Sequence, residues 1–445
     1  MDLIGLIPSF GNLLWTIAAF VVALSVIVAI HEYGHYIVGR WTGIKADVFS
    51  LGFGPVLFRR TDRHGTQWQF ALLPFGGFVK FRGDADAASS PDSSVVSGLT
   101  PDERRMTMQG APLWARALTV AAGPAFNFML SIVVFAALMV IQGVPKDPYT
   151  VDRLTPLPFT PMELQPGDEI VAIGGVETPQ VGEFAGYLDS LPVGPVLDYE
   201  VLRDGALTTV QAPHPMPGLI VALQPKSAAI DIDLKVGDVI TAIDGVPIGR
   251  FEELREAVGA SDGRVLELDV WREGEMLKFA LAPRRVDLPL PEGGFETRWL
   301  IGVTGGMFIE PRTETPGAGE ALSYGVEQTG AIIRSSLSAL YNIAVGAISS
   351  CNLSGPVGIA EMSGDTASQG IASFIFFIAM LSTAVGLINL FPIPVLDGGH
   401  LLFHAFEAVT GRPPSDRALR VLMGSGLVVL LSFMAFALSN DFFCP

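Results

Sequence analysis

The sequence predicts an α-helical polytopic membrane protein with four transmembrane helices, a membrane-associated β hairpin and an inserted tandem pair of small β-rich domains. Three observations predict it. Four stretches are apolar enough, and about 20 residues long, as a bilayer-crossing helix must be. Hydrophobic residues make up 49% of the 445-residue chain and charged residues only 16%, well below the roughly one quarter usual in soluble domains. A nine-residue pattern recurs in the interval between the second and third apolar stretches.

The predicted spans cover 13–38, 117–141, 371–391 and 421–438. The flank before the first has no Lys or Arg, and no small-residue cleavage site follows it, so it reads as a retained span and not as a leader. Charge is divided unevenly. Residues 39–116 hold 10 Lys/Arg against 7 Asp/Glu, and residues 143–370 hold 15 against 32. Basic flanks stay in the cytoplasm. Arg40, Lys45, Arg59, Arg60 and Arg63 follow the first span, and Arg412, Arg417 and Arg420 precede the last. The expected topology has both termini and the acidic central region outside. A net charge of −17 also argues against nucleic acid as a partner.

Residues 83–100 are rich in Ser, Asp and Ala and read as a flexible inner loop. Before them, 67–81 reads as two β-prone apolar runs folded around Pro74 and Gly76-Gly77. So apolar a hairpin between two spans is expected to dip into the membrane region, with protein or water satisfying its backbone.

The repeat pairs Gly167–Gly175 (GDEIVAIGG) with Gly237–Gly245 (GDVITAIDG), 70 residues apart. A Gly-Asp turn, an alternating strand and a glycine turn recur in each. That pattern resembles tandem PDZ domains, which take extended peptides at a sheet edge. The expected organisation is 1–145 for the first membrane half, 146–215 and 216–285 for the two domains, 286–370 for a juxtamembrane extended and helical region, and 371–445 for the second membrane half.

The chemistry centres on His31-Glu32-Tyr33-Gly34-His35 at the end of the first span. Histidines four apart project from one helix face and can share a Zn²⁺. Glu32 is placed to move a proton and not to bind the metal. Ionisable groups inside an apolar span are costly and usually functional. A catalytic zinc takes three protein ligands, so a third is needed. Asp397, in Asn389-Leu390-Phe391-Pro392-Ile393-Pro394-Val395-Leu396-Asp397-Gly398-Gly399, is a carboxylate on a helix-breaking stretch and the leading candidate. Its competing role is to cap the helix that follows. His400 and His404 are also four apart but lack an adjacent carboxylate. His64 and His214 read as solvated loop residues. Two cysteines exclude a disulfide-rich scaffold; Cys351 and Cys444 both fall on the outer side, where a disulfide is chemically allowed.

With these motifs the chain resembles the site-2 proteases, intramembrane zinc metalloproteases, and most closely their bacterial sigma-E-regulating branch. The resemblance covers nearly the whole chain. It rests on His31–His35, on Gly123-Pro124-Ala125-Phe126-Asn127, on Asn389, Pro392, Pro394, Leu396 and Asp397–Gly399, and on Leu51–Gly54 and Phe75-Gly76-Gly77-Phe78-Val79-Lys80. It implies Zn²⁺ on His31, His35 and Asp397, Glu32 as general base, and substrate contacts from Asn389, Pro392, Pro394, Asn127 and the Phe75–Gly77 region. It implies location in a bacterial inner membrane with the PDZ pair periplasmic and the zinc near the cytoplasmic side. The implied partner is a single-span membrane protein, an anti-sigma factor already trimmed by another protease, with signal-peptide remnants as further substrates. The PDZ pair would either exclude bulky ectodomains or capture new C-termini. The rival readings are a silent PDZ scaffold and a metal transporter; the intact motif opposes the first, and the lack of an intramembrane ionisable path opposes the second.

Overall fold

The computed structural model describes residues 10–84, 99–180, 184–290 and 294–444. Most of the expected loop at 83–100 lies outside them. The chain forms two compact units: Met1–Ala136 with Leu322–Ala344 and Ser350–Pro445, and Ala137–Ala321 with Val345–Ser349.

The first unit holds helix α1 (Phe10–Trp41), strands β1 (Ala46–Thr61) and β2 (Gln67–Phe81), helix α2 (Leu113–Gln142), part of α3 (Ala318–Ala344), and α4 (Pro356–Ser368), α5 (Ile371–Asn389), α6 (Asp397–Thr410) and α7 (Asp416–Phe443). Four segments have the length and composition of membrane spans: Leu13–Trp41, Leu113–Gln142, Ile371–Asn389 and Arg417–Phe443. All four coincide with the expected spans, and three run longer. Their apolar surface is largely outward, as lipid as solvent requires. What is buried is a seam: Ala19, Ala23 and Ile27 of α1 against Phe374, Phe377 and Ile378 of α5. Small residues on α1 let the helices approach, as is usual where packing and not water expulsion drives association.

The β region differs from the expected hairpin. The two apolar runs in 67–81 do not fold on each other around Pro74. They are the halves of one bent strand, β2, whose partner is β1. The reversal lies at 62–66, where Asp62 Oδ1 accepts from the backbone N–H of His64 (2.8 Å) and Thr66 (3.0 Å). This is the side-chain turn chemistry that Asp favours. Leu51 partners both Phe70 and Gly77, so 48–51 is the middle of the sheet and 77–81 an outer piece. Phe49, Trp68 and Tyr36 stack together, tying the sheet to the last turns of α1. Further along, Phe53, Val56, Leu57, Phe58, Phe70, Leu72 and Leu73 are exposed.

The second unit contains strands β3 (Val151–Leu154), β4 (Glu169–Ile173), β5 (Val176–Glu177), β6 (Leu197–Arg203), β7 (Ala206–Ala212), β8 (Ile220–Leu223), β9 (Val239–Ile243), β10 (Val246–Pro247), β11 (Leu266–Arg272), β12 (Glu275–Leu281), β13 (Arg284–Pro289), β14 (Phe295–Leu300), β15 (Val303–Gly305) and β16 (Ile309–Pro311). Two four-stranded sheets have the same order, β5-β4-β6-β7 and β10-β9-β11-β12. The repeat is deeper than nine residues. β6 and β11 alternate buried and exposed positions identically. Both following turns put their two central residues at positive φ, Asp204-Gly205 and Glu273-Gly274, as tight hairpins need. Arg203 grips the buried Asp168 with two 2.7 Å bonds, and Arg272 grips Asp238 in the same way. Each aspartate also accepts from a backbone N–H three residues earlier, Gln165 or Lys235.

The unit runs past the expected edge at 285, to Ala321. The reason is long-range pairing: β15 returns to β8, and β16 returns to β3. The described residues of 286–311 therefore fold with the second unit.

His214 corrects another expectation. It is 4% exposed, with Nδ1 beside the backbone N–H of Met216. Burial pulls its pKa below the usual 6.5, Arg250 adds to this, and the Met216 carbonyl and Glu253 oppose it. The unfolded chain then binds more protons than the folded one as pH falls through about 6.5. The central unit is expected to lose stability over that interval, read as earlier urea unfolding by Trp271 and Trp299 fluorescence at pH 5.5 than at 7.5. His214→Gln should flatten the dependence; an unchanged slope would assign it elsewhere.

Candidate metal centre

His31 and His35 lie in the final turns of α1, within the span. Asp397 is the first residue of α6. It does not act as the cap: Leu396 holds that position, and no side chain caps the helix. The tight Leu390–Leu396 turn instead aims its carboxylate at α1. Asp397 Oδ2 lies 3.2 Å from His31 Nε2 and 3.5 Å from His35 Nε2. The two imidazole nitrogens are 3.2 Å apart. Tetrahedral zinc with bonds of 2.0–2.1 Å sets its ligands about 3.3 Å apart. Among the described residues these three form the one group of His, Cys, Asp and Glu so disposed to hold a metal. Asp397 Oδ2 has no hydrogen-bond donor, which suits an atom meant for a cation.

Neighbours fix the histidine tautomers. His35 Nδ1 is 2.8 Å from the Thr119 carbonyl. Nδ1 must therefore carry the proton, leaving the Nε2 lone pair for the metal. His31 Nδ1 is 3.2 Å from the side-chain amide of the fully buried Asn127. For His31 Nε2 to bind metal as well, Nδ1–H must donate, and Asn127 must present Oδ1. As placed, that oxygen is buried without a partner, and turning the amide gives it one in Nδ1–H. Asn127 is itself held: Ser382 Oγ of α5 donates to its carbonyl at 3.0 Å, and Ser131 Oγ donates to Ala379 at 2.7 Å.

Close approach explains Gly123. A Cβ there would run into the rings of both His35 and His31. At that position α2 must be bare backbone for the ligands to fit. Glu32 projects towards β2. Its carboxylate reaches the backbone amide of Val79, and a Cβ on Gly77 would sit 3.3 Å from Glu32 Cγ. The outer piece of β2 thus runs beside the candidate base.

The remaining candidates are placed as follows. Asn389 ends α5, and its side chain makes no hydrogen bond among the described residues. Pro392 and Pro394 form the turn before Asp397, with Pro394 packed on Gly426 of α7. Gly76 packs against Phe53; the side chain of Phe75 lies outside what is described. His400 stands edge-on to Phe403, and neither it nor His404 joins the metal group. The Thr119 carbonyl and the Val79 amide were not legible beforehand, because backbone groups carry no residue-type signal.

The model of peptidase family M50 matches residues 19–433. The chain belongs to this family, the site-2 proteases. It is 37% identical to a protein of Rhizobium meliloti and 36% identical to one of Agrobacterium fabrum, both named as zinc metalloproteases, with 97% of this chain covered in each case. The alignments cover 97% and 96% of those relatives. It is 31% identical to the regulator of sigma-E protease of Salmonella typhimurium over 97% of this chain and 99% of that one. This M50 chain is a membrane-embedded zinc metalloprotease of site-2 type. The donor set described above fits that ion.

Proposed function

We propose that this M50 protease hydrolyses a peptide bond inside the membrane-spanning segment of a single-span protein whose outer domain has already been trimmed. The observation that carries this reading is the ligand triad, two of its members on an apolar helix and the third on α6, with a strand running past Glu32. His31, His35 and Asp397 would hold the zinc. When bound, zinc supplies Lewis acidity, polarising a carbonyl and making a water acidic near neutral pH.

The chain's own residues supply the rest. Glu32 takes a proton from the attacking water and returns it to the leaving amine. Asn127, by holding the His31 tautomer, is a positioning residue. Asn389, with its amide uncommitted, is suited to a substrate carbonyl or N–H. A substrate helix must unwind to expose its carbonyl, and strand addition at the outer piece of β2 would replace the lost hydrogen bonds. The basic flank after α1 and the acidic central region support a cytoplasmic side for the site and an outer side for the repeats, in a bacterial inner membrane. Matching sheet orders and hairpins support two PDZ-type modules that filter substrates by size. An anti-sigma factor as substrate, with release of its cytoplasmic part under envelope stress, extends this proposal; the Salmonella relative is named as a regulator of sigma-E protease.

The test uses purified chain and a tagged single-span substrate with a full or shortened outer domain. The expected result is cleavage mapped within the span and several-fold faster for the shortened form, whatever its last residue. Cleavage outside the span would overturn the reading. Dependence on the terminal residue would replace filtering by C-terminus capture.

A further inference from the structure

Just past the metal-bearing helix lies a concave site of about 200 Å³ bordered by Arg40, Gly43, Lys45, His64 and Met106. Arg40 and Lys45 line it and no carboxylate does; Arg63 lines the neighbouring concavity with Asp62. Arg40 Nη2 donates to His64 Nε2 at 2.8 Å, and Arg63 Nε donates to the same nitrogen at 3.1 Å. Two guanidinium groups thus meet at one imidazole. Lys45 Nζ reaches the same turn, 3.5 Å from where a Cβ on Gly65 would sit. Arg105 borders Gly43 from the other side. One of its arms holds the Thr42 carbonyl at 3.2 Å, and Nη1 is buried with no partner. Among the described residues no carboxylate lies within ion-pair distance of Arg40, Lys45, Arg63 or Arg105. The nearby Asp62 is committed to Tyr36, Trp68 and the turn backbone.

Like charges gathered this closely repel unless an anion joins them, and guanidinium groups match phosphate oxygens well. The position indicates which phosphate. The span Leu13–Trp41 has 29 residues, about 44 Å of helix against a hydrocarbon core of about 30 Å. Its last turn therefore reaches headgroup level. Trp41 there is 73% exposed, as interfacial anchors are. Along β1 the exposed Val56, Leu57 and Phe58 give way directly to Arg59 and Arg60. Apolar surface meeting a cationic cleft suits a molecule with both tails and phosphate.

We infer that the cleft lined by Arg40 and Lys45, with Arg63 and Arg105 at its margins, binds the phosphate headgroup of an anionic phospholipid, seating the β1–β2 sheet at the membrane surface. The test is native mass spectrometry of the full chain equilibrated with equal phosphatidylglycerol and phosphatidylcholine in detergent. Wild type should retain the anionic lipid by about tenfold, given the usual strength of Lys/Arg attraction near anionic membranes. Arg40→Gln with Arg63→Gln should bring the ratio close to one, with zinc content unchanged. Arg40→Lys with Arg63→Lys should keep most of the preference, and that pair reports even if the glutamine variant folds poorly. A ratio near one in wild type, or an unchanged ratio in a folded glutamine variant, would overturn the inference. Full displacement by millimolar inorganic phosphate would also overturn it, assigning the cleft to the free ion.

Discussion

Glu32→Gln is expected to lower turnover by about 10²- to 10⁴-fold, the range for losing a positioned general base, while zinc content stays near that of wild type. Glu32 is adjacent to both histidines in sequence, yet it is outside the ligand triad and turned towards the Val79 amide. Glutamine preserves its shape and removes its ability to accept and return a proton. Asp397→Asn should behave differently. Asp397 Oδ2 closes the triangle with both imidazoles, so its loss should remove zinc and activity together. Measuring metal content by mass spectrometry alongside substrate cleavage separates the roles. Equal zinc in wild type and Asp397→Asn, or residual cleavage in Glu32→Gln close to wild type, would contradict the assignment.

Asp238→Ala is expected to destabilise the central unit by about 3–5 kcal/mol, the cost of breaking a buried ion pair from one side. Asp238 is 1% exposed, and Arg272, which grips it with two 2.7 Å bonds, loses its bidentate partner. The backbone N–H of Lys235 also loses its acceptor. Asp168→Ala should act on the first repeat in the same manner, through Arg203 and Gln165. The reciprocal swap Asp238→Arg with Arg272→Asp is a poor rescue, because the backbone donor still requires a carboxylate. Limited proteolysis and denaturant unfolding of the full chain provide the readout. Intact zinc binding in these variants would show that the damage is confined to the repeats, whereas an unchanged midpoint would remove the pair from the account of stability.

What could be read from the sequence was what repeats at short range. Four apolar stretches, two histidines one helical turn apart and a nine-residue strand-turn motif all announce themselves within a few residues. Asp397 was reached by a different route, as a carboxylate on a proline-broken segment where a carboxylate would otherwise be costly. Pairings across long separations were not legible. Asn127 meets His31 across 96 residues, and no local pattern distinguishes that contact from a substrate contact. The same holds for β15 and β16, short strands whose partners lie some 80 and 155 residues earlier in the chain. The partner of β2 was missed because Pro74 and two glycines look like a turn, although in this sheet they serve as a bend within one strand. His214 looked solvated because it sits between prolines, and its burial depends on residues that come together only in the folded unit.

Cys351 and Cys444 are joined by a disulfide across 93 residues. Everything from α4 to α7, Asp397 included, therefore belongs to one covalent ring. His31 and His35 belong to the open strand of chain that precedes it. Zinc held by all three would be the tie that threads the open part to the ring. By the chain-entropy account, closing a ring of this size restricts the unfolded state by an amount worth about 4–5 kcal/mol. The metal would add a second, independent cross-link between segments that share no covalent closure. Chelation frees the open segment while the ring persists, and reduction opens the ring while the metal tie persists. Only both together return the membrane half to a linear polymer held by packing alone.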